Sequence, residues 1–192
     1  MDNNEKLYIN KTFSKVDYTN INLLGLEFDS CEFINCNFSK CNISNTNFID
    51  CKFIDCDLSM LKFINTGLQN VSFYGCKLMG VNFTRCKEFL LSLYFEKCTL
   101  DYSTFQRKKI TKTIFKDCSV KEVDFANADL SASSFFNCDL VRTVFQQTIL
   151  EKADFCSAYN FSIDPEQNRI KNAKFSITGI VGLLDKYQIV VE

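Results

Sequence analysis

The 192-residue chain carries 22 basic and 23 acidic side chains for a formal net charge of −1, and 46% of it is hydrophobic. One core can therefore be filled, and no global charge draws the protein to nucleic acid or to a membrane surface. Twenty Phe and eleven Cys stand beside no His and no Trp, which excludes every Ser-His, Cys-His and His-metal arrangement. The opening MDNNEKLYIN has no apolar signal core, and no run approaches the ~18–20 apolar residues of a membrane helix. A cytosolic protein with reduced thiols is expected.

From Tyr8 a large apolar residue returns every five positions, through Phe13, Tyr18, Leu23, Phe28 and Phe33, without a miss as far as Phe83. Neither the roughly 3.6-residue period of an α-helix nor the alternation of a flat strand keeps such a beat on one side. The chain must turn a corner in every repeat. Strand alternation then turns inward the residue two places before each large one, and that position is mostly small: Cys31, Cys36, Cys41, Thr46, Cys51, Cys56 and Thr66. The other positions, rich in Asn, Asp, Lys and Ser, face water. If each unit is one side of a four-sided coil, residues twenty apart stack, as in the column Phe13, Phe33, Phe53 and Phe73.

The beat breaks at residues 84–94, where Phe83 and Phe95 are twelve positions apart instead of ten. Two extra residues make a bulge or a projecting loop. Phe89, Leu90, Leu91 and Leu93 cannot all point inward there, so Arg85, Lys87, Glu88, Phe89 and Leu91 are candidate partner contacts. Glu88 and Lys108 fall on inward positions, which a dry interior does not tolerate, and predict local distortion. The run Arg107, Lys108, Lys109 and Lys112 reads as a solvated face rather than a phosphate patch.

The second phase runs from Phe95 through Phe115 and Phe135 to Phe155, with Leu100, Val120 and Leu140 aliphatic on a neighbouring side. Ten of the eleven Cys fall on the small inward position and read as core filler, leaving Cys156 outward. Slightly more than seven coils give a rod on the order of 35 Å long, with strand edges at both ends that need covers. Residues 1–7 and those after Phe155 are the candidates. In the tail, Thr178 is placed to cap a helix over residues 179–187, with Ile180, Leu183, Leu184 and Tyr187 at helical spacing, and Ile189, Val190 and Val191 read as a strand. These seven apolar residues form a candidate homodimer interface as well as a lid.

The unit of a small residue, a polar residue, Phe or Leu, and two polar residues resembles the pentapeptide-repeat family over residues 8–159. That resemblance implies an all-β, right-handed quadrilateral β-helix over residues 1–159 and a C-terminal cap with a short helix and a dimer contact over residues 160–192. Length, layout and the tail FSIDPEQNRI followed by YQIVV are similar to the Qnr and McbG type. The similarity implies a rod-shaped dimer, joined at its C-terminal ends, that mimics duplex DNA and protects DNA gyrase and topoisomerase IV from quinolones or a peptide toxin. Against mimicry, residues 84–160 carry eleven basic and ten acidic side chains rather than acidic stripes.

A scaffold for some other protein is the alternative. The thiol count alone favours a metal or redox buffer, and the inward placement of the thiols argues against it. Paired acids such as Asp55 with Asp57 and Asp124 with Asp129 lie on an outer wall with no cleft, and no Gly-rich phosphate loop occurs. A non-enzyme without cofactor or metal, binding neither nucleic acid nor membrane directly, is expected.

Overall fold

The computed structural model describes residues 6–190. Their strands are short because the chain turns every five residues: β1 (Leu7–Ile9), β2 (Thr12–Ser14), β3 (Glu27–Asp29), β4 (Glu32–Ile34), β5 (Asn47–Ile49), β6 (Lys52–Ile54), β7 (Gly67–Gln69), β8 (Val71–Tyr74), β9 (Leu93–Glu96), β10 (Ile114–Lys116), β11 (Ser134–Phe136), β12 (Asp154–Phe155) and β13 (Lys174–Phe175). All ladder pairings are parallel, and before the break each joins residues twenty apart, as in Phe13↔Phe33 and Phe28↔Phe48. The result is the expected right-handed, four-sided β-helix.

Its first face is the sheet β1-β3-β5-β7, and its second is a continuous nine-stranded sheet running from β2 to β13. Single parallel bridges hold the other two faces, such as Asp17↔Asn37 on the third and Asn22↔Asn42 on the fourth. At about 4.8 Å per rung the nine-stranded sheet is on the order of 40 Å long.

Stacking decides what fills the interior. Phe13, Phe33, Phe53, Phe73, Phe95, Phe115, Phe135, Phe155 and Phe175 form one pile with ring centroids 4.8 to 5.3 Å apart and planes within 15°. The two columns read separately from the sequence are thus a single column, because β8 pairs β9 with a 22-residue step, Phe73↔Phe95. Small inward residues satisfy their own polarity against the coil below. Thr46 Oγ1 donates to the Leu23 carbonyl at 2.7 Å, Thr66 Oγ1 to Ile43 at 2.9 Å, and Cys51 Sγ to Phe28 at 3.3 Å. A hydroxyl or thiol is tolerated at this position because the solenoid always offers a carbonyl there.

Most corners place one residue at positive φ, and Asn10, Asn20, Asn35, Asn45, Asp50 and Asp55 supply it at 51° to 59°. Asn and Asp tolerate that conformation better than other non-glycine residues. The polar outer positions of the repeat therefore include a backbone requirement that polarity alone did not reveal. The coil also runs further than residue 159: Arg169 bridges Ile149, and β13 pairs β12 through Phe155↔Phe175.

Phe115 is fully buried between Phe95 and Phe135, so Phe115→Ala is expected to cost about 3–5 kcal/mol. Chemical denaturation of the full chain checks this value, and a loss below about 1 kcal/mol would mean that the column packs loosely.

Candidate functional site

Two places depart from the repeat. The first spans residues 84–92. On the third and fourth faces the ladder crosses it with a 22-residue step, Lys77↔Thr99 and Asn82↔Thr104. On the first face it does not cross: Gln69 meets Leu91 in an antiparallel bridge, and Lys109 pairs only forward, with Asp129. The insertion is therefore absorbed on one face of the four, as a bulge.

The bulge is tied down at its base. Lys87 N–H donates to the Thr66 carbonyl at 2.9 Å and Ser92 N–H to Leu68 at 3.1 Å. Leu93 is buried and Leu91 packs partly against the core, while Leu90 adopts a positive φ of 54° and is exposed. Phe89 is 80% exposed. Beside its ring a groove of about 240 Å³ runs over Phe48, Ile49, Gly67 and Gln69. Lys87 closes one rim by donating to Asn47 Oδ1 at 2.8 Å.

Of the two inward charges expected to distort the wall, Glu88 does leave it and is exposed. Lys108 does not. It is buried at 5% exposure in an undistorted corner, where Lys108 N–H bonds the Phe105 carbonyl at 3.0 Å and the Lys108 carbonyl accepts from Asp129 at 2.9 Å. Its ammonium donates to the Cys86 carbonyl at 3.1 Å and to Glu88 Oε1 at 3.2 Å. The broken ladder supplies the reason, since the bulge presents both acceptors within reach of a long side chain. A buried ammonium with two such partners is tolerated where an unpaired one is not.

The second departure is the tail. Phe161 and Ile163 are buried, and Asn168 takes an inward position, accepting from Thr148 N–H at 2.9 Å and donating to the Phe145 carbonyl at 2.9 Å. The expected helix is present as two 3₁₀ turns, Gly179–Leu183 and Asp185–Tyr187. Thr178 makes no capping bond; Ser176 Oγ accepts from Gly179 N–H instead, at 2.9 Å.

Close approach favours this tight winding, because Ile163 N–H donates to the Gly182 carbonyl at 2.9 Å and a side chain at Gly182 would collide with Phe161. Leu183 packs on the core and Leu184 is half-buried, whereas Ile180 and Tyr187 point outward, so the four do not share one face. Ile189 and Val190 are irregular and exposed rather than a strand, and Val191 lies outside the described residues. Between the cap and the last coil lies a cleft of about 450 Å³ lined by Tyr159, Phe161, Thr178, Val181 and Asp185.

Lys186 clamps this cap to the coil, with Nζ 2.8 Å from Asp164 Oδ1 and 2.7 Å from Glu166 Oε2. Its hydrogen bonds hold both carboxylates below their ordinary values of 3.8 and 4.5 and raise the ammonium.

Ten thiols are buried and Cys156 alone is exposed. Burial pushes Cys41 and Cys51 up to about 12 and Cys86 to about 11. Asp57, Asp124 and Asp129 each accept the N–H two residues on, at 2.9, 2.8 and 3.0 Å, and so close corners. Among the described residues no group of three or more Cys, Asp or Glu is placed to hold a metal, and no helix is long and apolar enough to cross a membrane.

A four-sided solenoid with five residues to a side defines a class, and comparison with known proteins names it. Pentapeptide repeats match at residues 12–45, 31–69 and 46–85, and a pentapeptide repeat region matches at residues 88–155. The chain belongs to the pentapeptide-repeat family.

Among solved structures it is similar to a trypsin-treated form of QnrB1, a plasmid-mediated fluoroquinolone resistance protein. The identity is 20% over 100% of this chain and 95% of that one, with a TM-score of 0.63. Full-length QnrB1 matches at 17% identity over 95% and 100% of the two chains, with a TM-score of 0.62. HetL, a pentapeptide repeat protein of heterocyst differentiation regulation from the cyanobacterium Nostoc sp. strain PCC 7120, matches at 15% identity over 89% and 90%, with a TM-score of 0.42. No curated protein sequence matches significantly.

The contribution of the Lys186 clamp is complete at neutral pH, above the ordinary carboxylate values, and is lost as acid protonates Asp164 and Glu166 at and below those values. Amide exchange over residues 179–187, corrected for intrinsic rates, is expected to accelerate between about pH 5 and about pH 3. In Lys186→Met that pH step should vanish.

Proposed function

We propose that the protein is a non-enzymatic binding protein that docks through the two breaks in its repeat. Its proposed partner is DNA gyrase or topoisomerase IV, which it shields from quinolones or from a peptide toxin. The observation that carries the docking mode is the position of the most exposed apolar side chains. Apart from Met60, at 72%, these are Phe89, at 80%, and Ile177 and Val190, at 92% and 86%, all on the bulge or in the tail. Exposed apolar surface of this kind marks contact sites. The choice of partner rests on likeness to QnrB1 along the whole chain. A cytoplasmic location follows from that partner.

A second reading, a scaffold for a different protein, is favoured by the charge pattern. Some wall charges pair between coils, as in Lys52–Glu32 at 3.0 Å and Arg142–Glu122 at 2.6 Å, which neutralises acids that a DNA mimic would present.

Supercoiling by gyrase, with and without a fluoroquinolone, separates the two. Rescue of supercoiling at low concentrations of the protein, or inhibition at high ones, is expected of the first reading. Its absence across the titration would remove topoisomerases as partners.

The tail is proposed to join two copies through Ile180, Tyr187, Ile189 and Val190, with Leu183 and Leu184 beneath or beside them and Val191 following in the sequence. Sedimentation of the Ile180→Asp, Val190→Asp double variant is expected to give a monomer where the parent protein gives a dimer. Equal masses for the two would eliminate this interface.

A further inference from the structure

In-register stacking places equivalent side chains of successive coils about 4.8 Å apart, so like charges in line repel and opposite charges pair. Part of the wall is paired in this way. Lys52 meets Glu32, Lys116 meets Glu96 and Arg142 meets Glu122 directly across successive coils, and Lys121 meets Asp139 and Arg169 meets Glu151 on a diagonal, all at 2.6 to 3.1 Å.

Around the bulge such pairing is missing. Arg85 lies at the corner that follows Asn82, and Arg107 at the corner that follows Thr104, the bridge partner of Asn82 on the next coil. Lys109 and Lys112 follow on that coil, and Lys87 stands on the bulge itself. None of these five cations has an ion-pair partner among the described residues. The two acids nearest in register are engaged elsewhere: Glu88 with Lys108, and Asp129 with the N–H and hydroxyl of Ser131. The bulge also carries the exposed Phe89 ring, and Lys87 lines the groove of about 240 Å³ beside it.

We infer that the bulge and the coil above it form a docking site for an acidic, extended polypeptide segment that carries one large apolar residue. The five cations receive its carboxylates, and the groove between Phe89 and the Phe48–Gly67 wall receives the apolar side chain. A nucleic acid fits less well. A phosphate strand continuing along the first face meets Glu27, Asp29 and Asp50 on one side of the bulge and Asp129 and Glu151 on the other, whereas a short peptide ends before it reaches them. Only one aromatic ring is offered for stacking. The inference rests on the bulge being a partner contact and leaves open which protein carries the segment.

The test uses the full-length protein and fluorescence anisotropy with a fluorescein-labelled peptide of Asp and Glu around one central Phe. Its controls are the same peptide with Ser in place of Phe and a single-stranded oligonucleotide of equal charge. Salt-dependent binding of the Phe peptide is expected, weakened about tenfold or more by Arg107→Glu with Lys109→Glu. Phe89→Ser should weaken the Phe peptide several-fold and leave the Ser peptide unchanged. All three substitutions lie on exposed side chains, and thermal unfolding confirms that each variant folds.

Binding of the oligonucleotide in preference to the peptide would overturn the inference. So would peptide binding that ignores the charge reversals, or no binding by the parent protein. Peptide capture by a protein that leaves gyrase supercoiling untouched supports the docking site and counts against the topoisomerase alone.

Discussion

Everything in this protein follows from coils that stack in register. Once residue i lies over residue i+20, each side chain has its own equivalent as a neighbour, and only side chains that tolerate such a neighbour fit. Phenyl rings do so by stacking at about 5 Å, which accounts for the excess of Phe in the chain. Hydroxyls and thiols do so by donating to the carbonyl of the coil below. Some charges do so by pairing with an opposite charge on the next coil. Ladder bonds and ring stacking reach only to the adjacent coils, so stability is built rung by rung rather than around one centre.

The same rule explains why the breaks matter. Two inserted residues cannot be shared among four faces without losing register everywhere, and the structure confines them to one. That face loses its ladder between Gln69 and Lys109, and the Lys108 ammonium partly replaces the missing bonds by reaching the Cys86 carbonyl. At the other end the last coil has no successor. Its exposed edge is covered by two 3₁₀ turns that pack Leu183 against the core and leave Ile177, Ile180 and Val190 in water. The two irregular segments offer a partner the most exposed apolar side chains, Phe89, Ile177 and Val190.

Most of the architecture was legible in the chain because a five-residue beat with a small residue two places earlier has only one geometric solution. The break at residues 84–94 was equally plain, since a spacing of twelve is visible without coordinates. Lys108 was misread for a specific reason: its position in the repeat is inward, but its two acceptors exist only because the bulge folds back over it. The cap was misread because helical spacing of Ile180, Leu183, Leu184 and Tyr187 says nothing about Gly182 lying against Phe161, and that contact sets the tightness of the winding. The unpaired cations around Phe89 were visible only as a basic run, because which charges are paired depends on which coils are neighbours.

By itself the sequence determined the period, the inward positions, the polar corners and the two places where the pattern stops, because each is a local property that repeats often enough to be unambiguous. Only the tertiary structure decided how the pattern is mended: one face takes the insertion, one continuous Phe column passes it, a lysine stands in for a rung, and a clamp of Lys186 with Asp164 and Glu166 holds the cap. Those outcomes depend on contacts between residues 20 or more positions apart, or across a register shift of 22, and no window of sequence contains both partners.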